Sequence, residues 1–217
     1  MQAGDRAKSS FAVPTMLLDF KTLPPAQAYQ WLISTIVPRP IAWVSTVSPD
    51  GAANLAPFSF FNGVSARPPT LMFVPVNTRD GAKKDTVLNI EAVPEFVVNL
   101  VSHELGQKMS DTAAMLPHGE SEFEAFAIAS APSTKVRPPR VAEAPVAFEC
   151  AFDQVVHIGE GPLVANVIFG RILTAHVRDE VFGDDGKPDS TKLDLIGRMG
   201  GEDYTTTRDT FTIERPD

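Results

Sequence analysis

Lys84-Asp85-Thr86 is the short element with the most chemistry in it. Asp85 is a good N-cap for a helix running from Thr86 to about Ala92, in which Val87, Leu88 and Ile90 would face inward. Backbone N–H groups without a helical partner then face outward at its start. Together with the Lys84 ammonium and the Thr86 hydroxyl they could hold a phosphate. The same residues also read as a capped surface helix with a solvated lysine, and spacing alone leaves both readings open. A second polar group lies upstream, where Ser45, Thr46, Asn54, Ser59 and Asn62 stand among Trp43, Phe58, Phe60 and Phe61. Small hydroxyls and amides beside flat aromatic and proline surfaces suit a planar heterocycle with a polar tail. Ser45 and Thr46 project to opposite faces of one strand, so at most one points into a given pocket unless a bulge intervenes. For the four aromatic residues, ordinary core packing is the competing reading. Asn62, a polar amide at a strand end beside this cluster, needs partners.

Other chemistries find little support. There is no Walker sequence, and Gly159-Glu160-Gly161 runs into Pro162 rather than into a dinucleotide-fold pattern. No GxSxG elbow occurs, and His103, His118, His157 and His176 lack zinc-like spacing. We therefore assign neither a catalytic acid, base or nucleophile nor a metal site. The single Cys150 rules out an internal disulfide and fits a reducing cytoplasm. No apolar stretch approaches the ~20 residues that a membrane helix requires.

The net charge of −8 argues against a general nucleic-acid or acidic-membrane surface. Its distribution says more. Between residues 39 and 84 five basic residues (Arg39, Arg67, Arg79, Lys83 and Lys84) stand against Asp50 and Asp80. A locally positive segment on an acidic chain suits a small anionic ligand better than a polymer, with chance surface variation as the alternative.

The elements that must position these residues begin with a β-hairpin. Residues 41–47 are β-branched and aromatic, Ser48-Pro49-Asp50-Gly51 makes a type I turn, and residues 52–61 return. Ahead of it, residues 1–15 form a loose tail, and 26–33 a short helix behind Pro24-Pro25. After it come strands at 70–76 and 95–101, a helix from His103 to about Asp111 capped by Ser102, and a proline-rich excursion over 116–141. The excursion, with one helical turn near 121–126, has the character of a binding loop or lid. Residues 146–157 alternate as a half-buried strand, with Val146, Phe148, Cys150 and Phe152 on one face and Glu149 and Asp153 on the other. A longer strand over 164–178 is interrupted by Gly170, the mark of a bend or bulge. A short helix at 190–196, a glycine-punctuated loop at 199–204 and a brief strand at 210–214 complete the chain. With 43% hydrophobic residues, 16–217 can form one mainly β domain, a closed or nearly closed antiparallel barrel with short peripheral helices.

The run RPIAWVST from Arg39, then NLAPFSFFN from Asn54, PP at 68–69, KKDT at 83–86, EFVVNL at 95–100 and GRMGGEDY at 197–204 resembles the flavin reductase-like proteins. The likeness covers roughly residues 15 to 215. It implies an FMN-binding split β-barrel of antiparallel, Greek-key type, with FMN as cofactor, FAD as an alternative, and NADH or NADPH as reductant. Arg39, Trp43, Ser45, Thr46, Asn54, Ala56, Pro57, Phe58, Ser59, Phe60, Asn62, Lys84, Asp85 and Thr86 would then lie around the flavin, with backbone groups over 54–59 reading its pyrimidine ring. His176, Arg198 and Tyr204 would fall on the nicotinamide or substrate side, where the C-terminal segment meets a dimer interface. The implied activity is hydride transfer from nicotinamide to flavin in a homodimer, with reduced flavin passing to a partner monooxygenase or another electron acceptor. An FMN electron carrier of the flavoredoxin kind and a non-catalytic flavin-binding module are the alternatives within this likeness.

Overall fold

The computed structural model describes residues 13–117 and 119–216, so most of the expected tail and His118 lie outside the described residues. Helix α1 (Pro25–Thr35) leads into β1 (Arg39–Pro40), β2 (Ala42–Val47), β3 (Ala53–Phe58), β4 (Phe61–Ala66) and β5 (Pro69–Phe73). Helix α2 (Asp85–Ala92), β6 (Glu95–Asn99), α3 (Gly106–Asp111), α4 (Glu122–Ala125), β7 (Ser130–Ala131) and β8 (Arg140–Val141) follow. The chain continues through β9 (Val146–Ile158), β10 (Ala165–Val177), α5 (Ser190–Leu193), β11 (Ile196–Arg198) and β12 (Tyr204–Thr206).

Seven strands form one antiparallel sheet in the order β3-β2-β6-β9-β10-β5-β4. Its two rims, β3 and β4, are consecutive in the chain and separated only by Ser59 and Phe60. Two residues span at most about 10 Å between Phe58 and Phe61. The sheet must therefore curl round until its rims meet, leaving a barrel with an open seam. The return run expected over 52–61 is thus two strands. Phe58, Phe60 and Phe61 break the period-two pattern, and the chain crosses the seam there. A small sheet of β1, β11 and β12 stands apart.

Two cores share the wall. Inside the barrel, Val44 and Phe58 pack with Phe73, Phe96, Cys150 and Ile168, and α2 plugs one end with Val87 and Ile90. Leu88, expected inward, is 42% exposed. Outside, Trp43 and Leu55 pack with Met109, Phe123, Ile128 and Val141 from the helices and the excursion. Every residue of β2 is buried because both its faces are covered. The turn into β3 forms as expected, with Gly51 at φ 90° donating its N–H to the Ser48 carbonyl at 3.0 Å. Gly170 sits at a register shift between β9 and β10, and a Cβ there would overlap the Phe96 ring.

The part of the excursion around 131–141 is a clamp. Ser45 donates its hydroxyl to the Pro139 carbonyl, and the Val141 N–H donates to Asn99 Oδ1 at 2.9 Å. The amides of Thr134 and Lys135 donate to Glu149 at 2.7 and 2.5 Å. This cover explains why Glu149, placed on the outer face of its strand by the alternation, is 0% exposed. At the C-terminus, residues 210–214 form no strand. The strands here are β11 and β12, and Phe211 and Ile213 are 85% and 76% exposed with no strand paired to them among the described residues.

Candidate functional site

Helix α2 begins one residue earlier than expected. Lys84 is the extended cap residue, and its carbonyl accepts the N–H groups of Val87 and Leu88 at 2.9 and 3.2 Å. Asp85 opens the helix, where a carboxylate complements the positive end of the helix dipole. The amide of Thr86 precedes the first intrahelical bond, so no helical carbonyl is available to it, and it lies at the helix start. The helix start faces a cleft of about 290 Å³ whose walls come from four segments. Asn54, Ala56 and Pro57 of β3 form one wall, Thr78 to Thr86 the second, Thr112 to Leu116 the third, and Glu122 of α4 the last.

Beneath the α2 start lies a buried polar network. Thr46 Oγ1 accepts from Asn54 Nδ2 at 3.3 Å and from Asn89 Nδ2 at 3.0 Å, while Asn54 Nδ2 also donates to Thr86 Oγ1 at 3.1 Å. These bonds tie β2, β3 and α2 together, so the helix start is held rigidly against the β3 rim. By the alternation of antiparallel pairing, residues 53, 55 and 57 aim their backbone groups away from β2. The Leu55 N–H meets Glu122 Oε2 at 2.8 Å, and Pro57 has no N–H at all. The rim at the cleft therefore presents mainly carbonyl acceptors and a flat proline ring.

The electrostatics are more mixed than a purely cationic notch. Lys83 pairs with Glu91 at 2.5 Å, and the Lys84 Nζ lies 6.0 Å from the Phe58 ring centroid. Asp80, bonded by the Thr78 hydroxyl and the Ala82 amide, is held below the usual carboxylate range. Burial pushes the Glu122 carboxyl up, the Leu55 N–H opposes this, and the Asp85 carboxylate adds to it. Elsewhere burial pushes the Cys150 thiol up, far from a reactive thiolate. Among the described residues no group of three or more His, Cys, Asp or Glu side chains could hold a metal ion, and no helix is long and apolar enough to cross a membrane.

Of the residues singled out in the sequence, Asn54, Ala56, Pro57, Lys84, Asp85 and Thr86 line this one cleft, with Thr46 directly under it. Ser45 faces the other way, to Pro139, as the strand geometry requires. Trp43 is fully buried and donates Nε1–H to Thr112 Oγ1 at 2.9 Å, and Phe58 belongs to the barrel core. Arg39 donates to the carbonyls of Ile33, Ile36 and Met199 at 2.5, 3.2 and 3.0 Å and to Ser59 Oγ at 3.4 Å, closing α1 and holding the 199 loop. Phe60 is half-buried at the seam crossing and Asn62 is exposed on β4. His176 Nε2 lies 2.5 Å from Glu149 Oε1, on the clamp. Arg198 stacks on Tyr204 at 4.5 Å in the small sheet. Glu122, Asn89 and Thr112 escaped sequence reasoning. Asn89, three residues beyond Thr86, shares its helix face and was open to that inference; Glu122 reaches its partner across 67 residues of chain, which no local pattern reports.

Comparison with known proteins places this geometry in context. Residues 34–191 match the sequence family described as flavin reductase like domain. An uncharacterized protein of Deinococcus radiodurans is 42% identical over 204 residues, covering 91% of this chain and 88% of its own. One from Aquifex aeolicus is 42% identical over 176 residues, 81% of this chain and 88% of that protein. Among solved structures, nitrilotriacetate monooxygenase component B from Bacillus cereus superposes with a TM-score of 0.87 at 28% identity, covering 93% of this chain and 100% of that one. A 2-nitrobenzoate 2-nitroreductase from Pseudomonas fluorescens gives 0.81 at 28% identity, covering 93% and 96%. The barrel with its open seam is the split barrel of these structures, and the chain belongs to the flavin reductase-like family.

Proposed function

We propose that the cleft binds FMN and that the protein is an NAD(P)H-dependent flavin oxidoreductase, acting as a homodimer in the cytoplasm. One observation carries the reading: the α2 start with Lys84 and the donor-poor β3 rim meet in a single cleft. The donor set fits both ends of such a molecule. Helix-start amides and a lysine suit a phosphate monoester, and rim carbonyls with the flat Ala56-Pro57 surface suit the edge and face of a ring carrying an N–H donor. When bound, flavin supplies the hydride-accepting chemistry.

The chain's own contribution is to bind, orient and exclude water. The bonds among Thr46, Asn54, Thr86 and Asn89 fix the α2 start relative to the rim, so a flavin bound there would be held in one orientation for an incoming nicotinamide. Ser59, Phe60 and Asn62 flank the seam beside the rim. Arg198, half-buried, and Tyr204, exposed, are stacked together and are the groups proposed for the nicotinamide side, while His176 serves the Glu149 clamp. Electrons would pass onward to a partner monooxygenase or another acceptor. Anaerobic spectra of the flavin-loaded protein with each pyridine nucleotide test the reading: bleaching of the flavin absorbance by NADH or NADPH is expected. Binding of FMN without bleaching by either would replace the reductase with an electron carrier, and unchanged flavin fluorescence on titration would remove both.

A further inference from the structure

Glu122 is a buried carboxylate on the cleft wall that holds the β3 rim through Leu55 and has been given no contact with a ligand. It is 7% exposed, and Oε2 accepts the Leu55 N–H at 2.8 Å. No ion pair among the described residues includes it. Among the described residues, the charged groups that share the cleft are Asp80, Lys83 and Lys84 from the loop and Asp85 from α2; the β3 rim and residues 112–116 contribute none. Of these, Lys83 is held by Glu91, and Asp85 acts on Glu122 as a like charge.

We propose that Glu122 is the proton-linked residue of the cleft: when a planar ligand fills the site, its carboxylate takes up one proton from solvent and binds the ligand as a neutral acid. A ligand lying over the cleft removes the water, and a buried anion is costly to keep where no ion pair among the described residues offsets it. The neutral acid avoids that cost. It keeps Oε2 as acceptor for Leu55 and offers a new O–H donor to a ring nitrogen or carbonyl of the ligand, in a cleft whose rim otherwise supplies acceptors. One proton is consumed per ligand bound, and no other bond changes. The complex then holds more protons than the free protein, so affinity falls as pH rises.

The proposal rests on the flavin reading of this cleft, and the experiment separates the two. Dissociation constants for riboflavin and FMN are measured by flavin fluorescence between about pH 5 and 8 for the wild type and Glu122→Gln; riboflavin lacks the phosphate, whose own titration falls near 6. For the wild type, riboflavin binding should weaken with rising pH, by at most about tenfold per unit for one linked proton. Calorimetry in two buffers of different ionisation enthalpy should show proton uptake on binding. In Glu122→Gln, whose amide oxygen can still accept the Leu55 N–H, the pH dependence should be flat. Thermal melting checks that the variant folds, and the wild-type proton uptake stands whatever the variant does. Riboflavin affinity that is flat in the wild type, or equally sloped in the variant, overturns the proposal and leaves the flavin reading intact. Failure of both flavins to bind at any pH overturns both.

Discussion

Replacing Glu149 with glutamine should make the barrel less stable at neutral pH and far less sensitive to acid. Glu149 is fully buried between β9 and the 131–141 clamp. Its Oε1 accepts from Thr134 N at 2.7 Å, Thr134 Oγ1 at 3.1 Å and His176 Nε2 at 2.5 Å, and its Oε2 from Lys135 N at 2.5 Å. Burial alone would push its carboxyl up, but the Thr134 and Lys135 amides, His176 and the Thr134 hydroxyl outweigh burial and hold it at about 2, against 4.5 in the open chain. At about 1.4 kcal/mol per pH unit, that difference is worth about 3 kcal/mol at neutral pH. Because the folded value is depressed, the contribution is complete above about pH 5 and is lost as pH falls from about 4.5 towards about 2. Glutamine cannot titrate, and its NH₂ would face donors on whichever side it sits. Urea unfolding at pH 7, 5, 4 and 3 should therefore show a gap of about 3 kcal/mol between wild type and variant at pH 7 that shrinks steadily on acidification. A gap that is absent at pH 7, or that stays constant down to pH 3, would refute the reasoning.

Two further substitutions test other parts of the structure. Gly170→Ala puts a methyl group into the Phe96 ring and should cost about 1–3 kcal/mol in urea unfolding, with Phe96→Leu in the same chain recovering part of it. Lys84→Ala should weaken FMN by about tenfold as the loss of one charge-assisted contact and leave riboflavin nearly unchanged; equal losses would detach Lys84 from the phosphate.

What could be read from the chain alone was what neighbours in sequence determine. The hairpin follows from β-branched residues around a Ser-Pro-Asp-Gly turn, α2 from an acid at its start and Pro94 beyond its end, and the bulge from Gly170 in an otherwise apolar strand. The hidden features depend on partners remote in sequence. Glu149 looks solvent-facing until the excursion is known to lie across it. Phe61 looks like the end of β3 until the seam takes it to the opposite rim. Residues 210–214 alternate as a strand should, yet a strand needs an edge to pair with, and none among the described residues receives them. Within the site, Lys84, Asp85, Thr86 and Asn54 were legible because helix starts and strand polarity are local. Glu122 was not, since its role arises only where α4 meets the rim.

The seam carries a last consequence. An open barrel exposes strand edges, and an edge with free donors and acceptors is a template on which other chains can assemble. On the β3 side, one of the three outward positions has surrendered its donor to Glu122 and another is Pro57. An intruding strand would find too few rungs to climb, so this side of the slot can stay open without inviting aggregation along it.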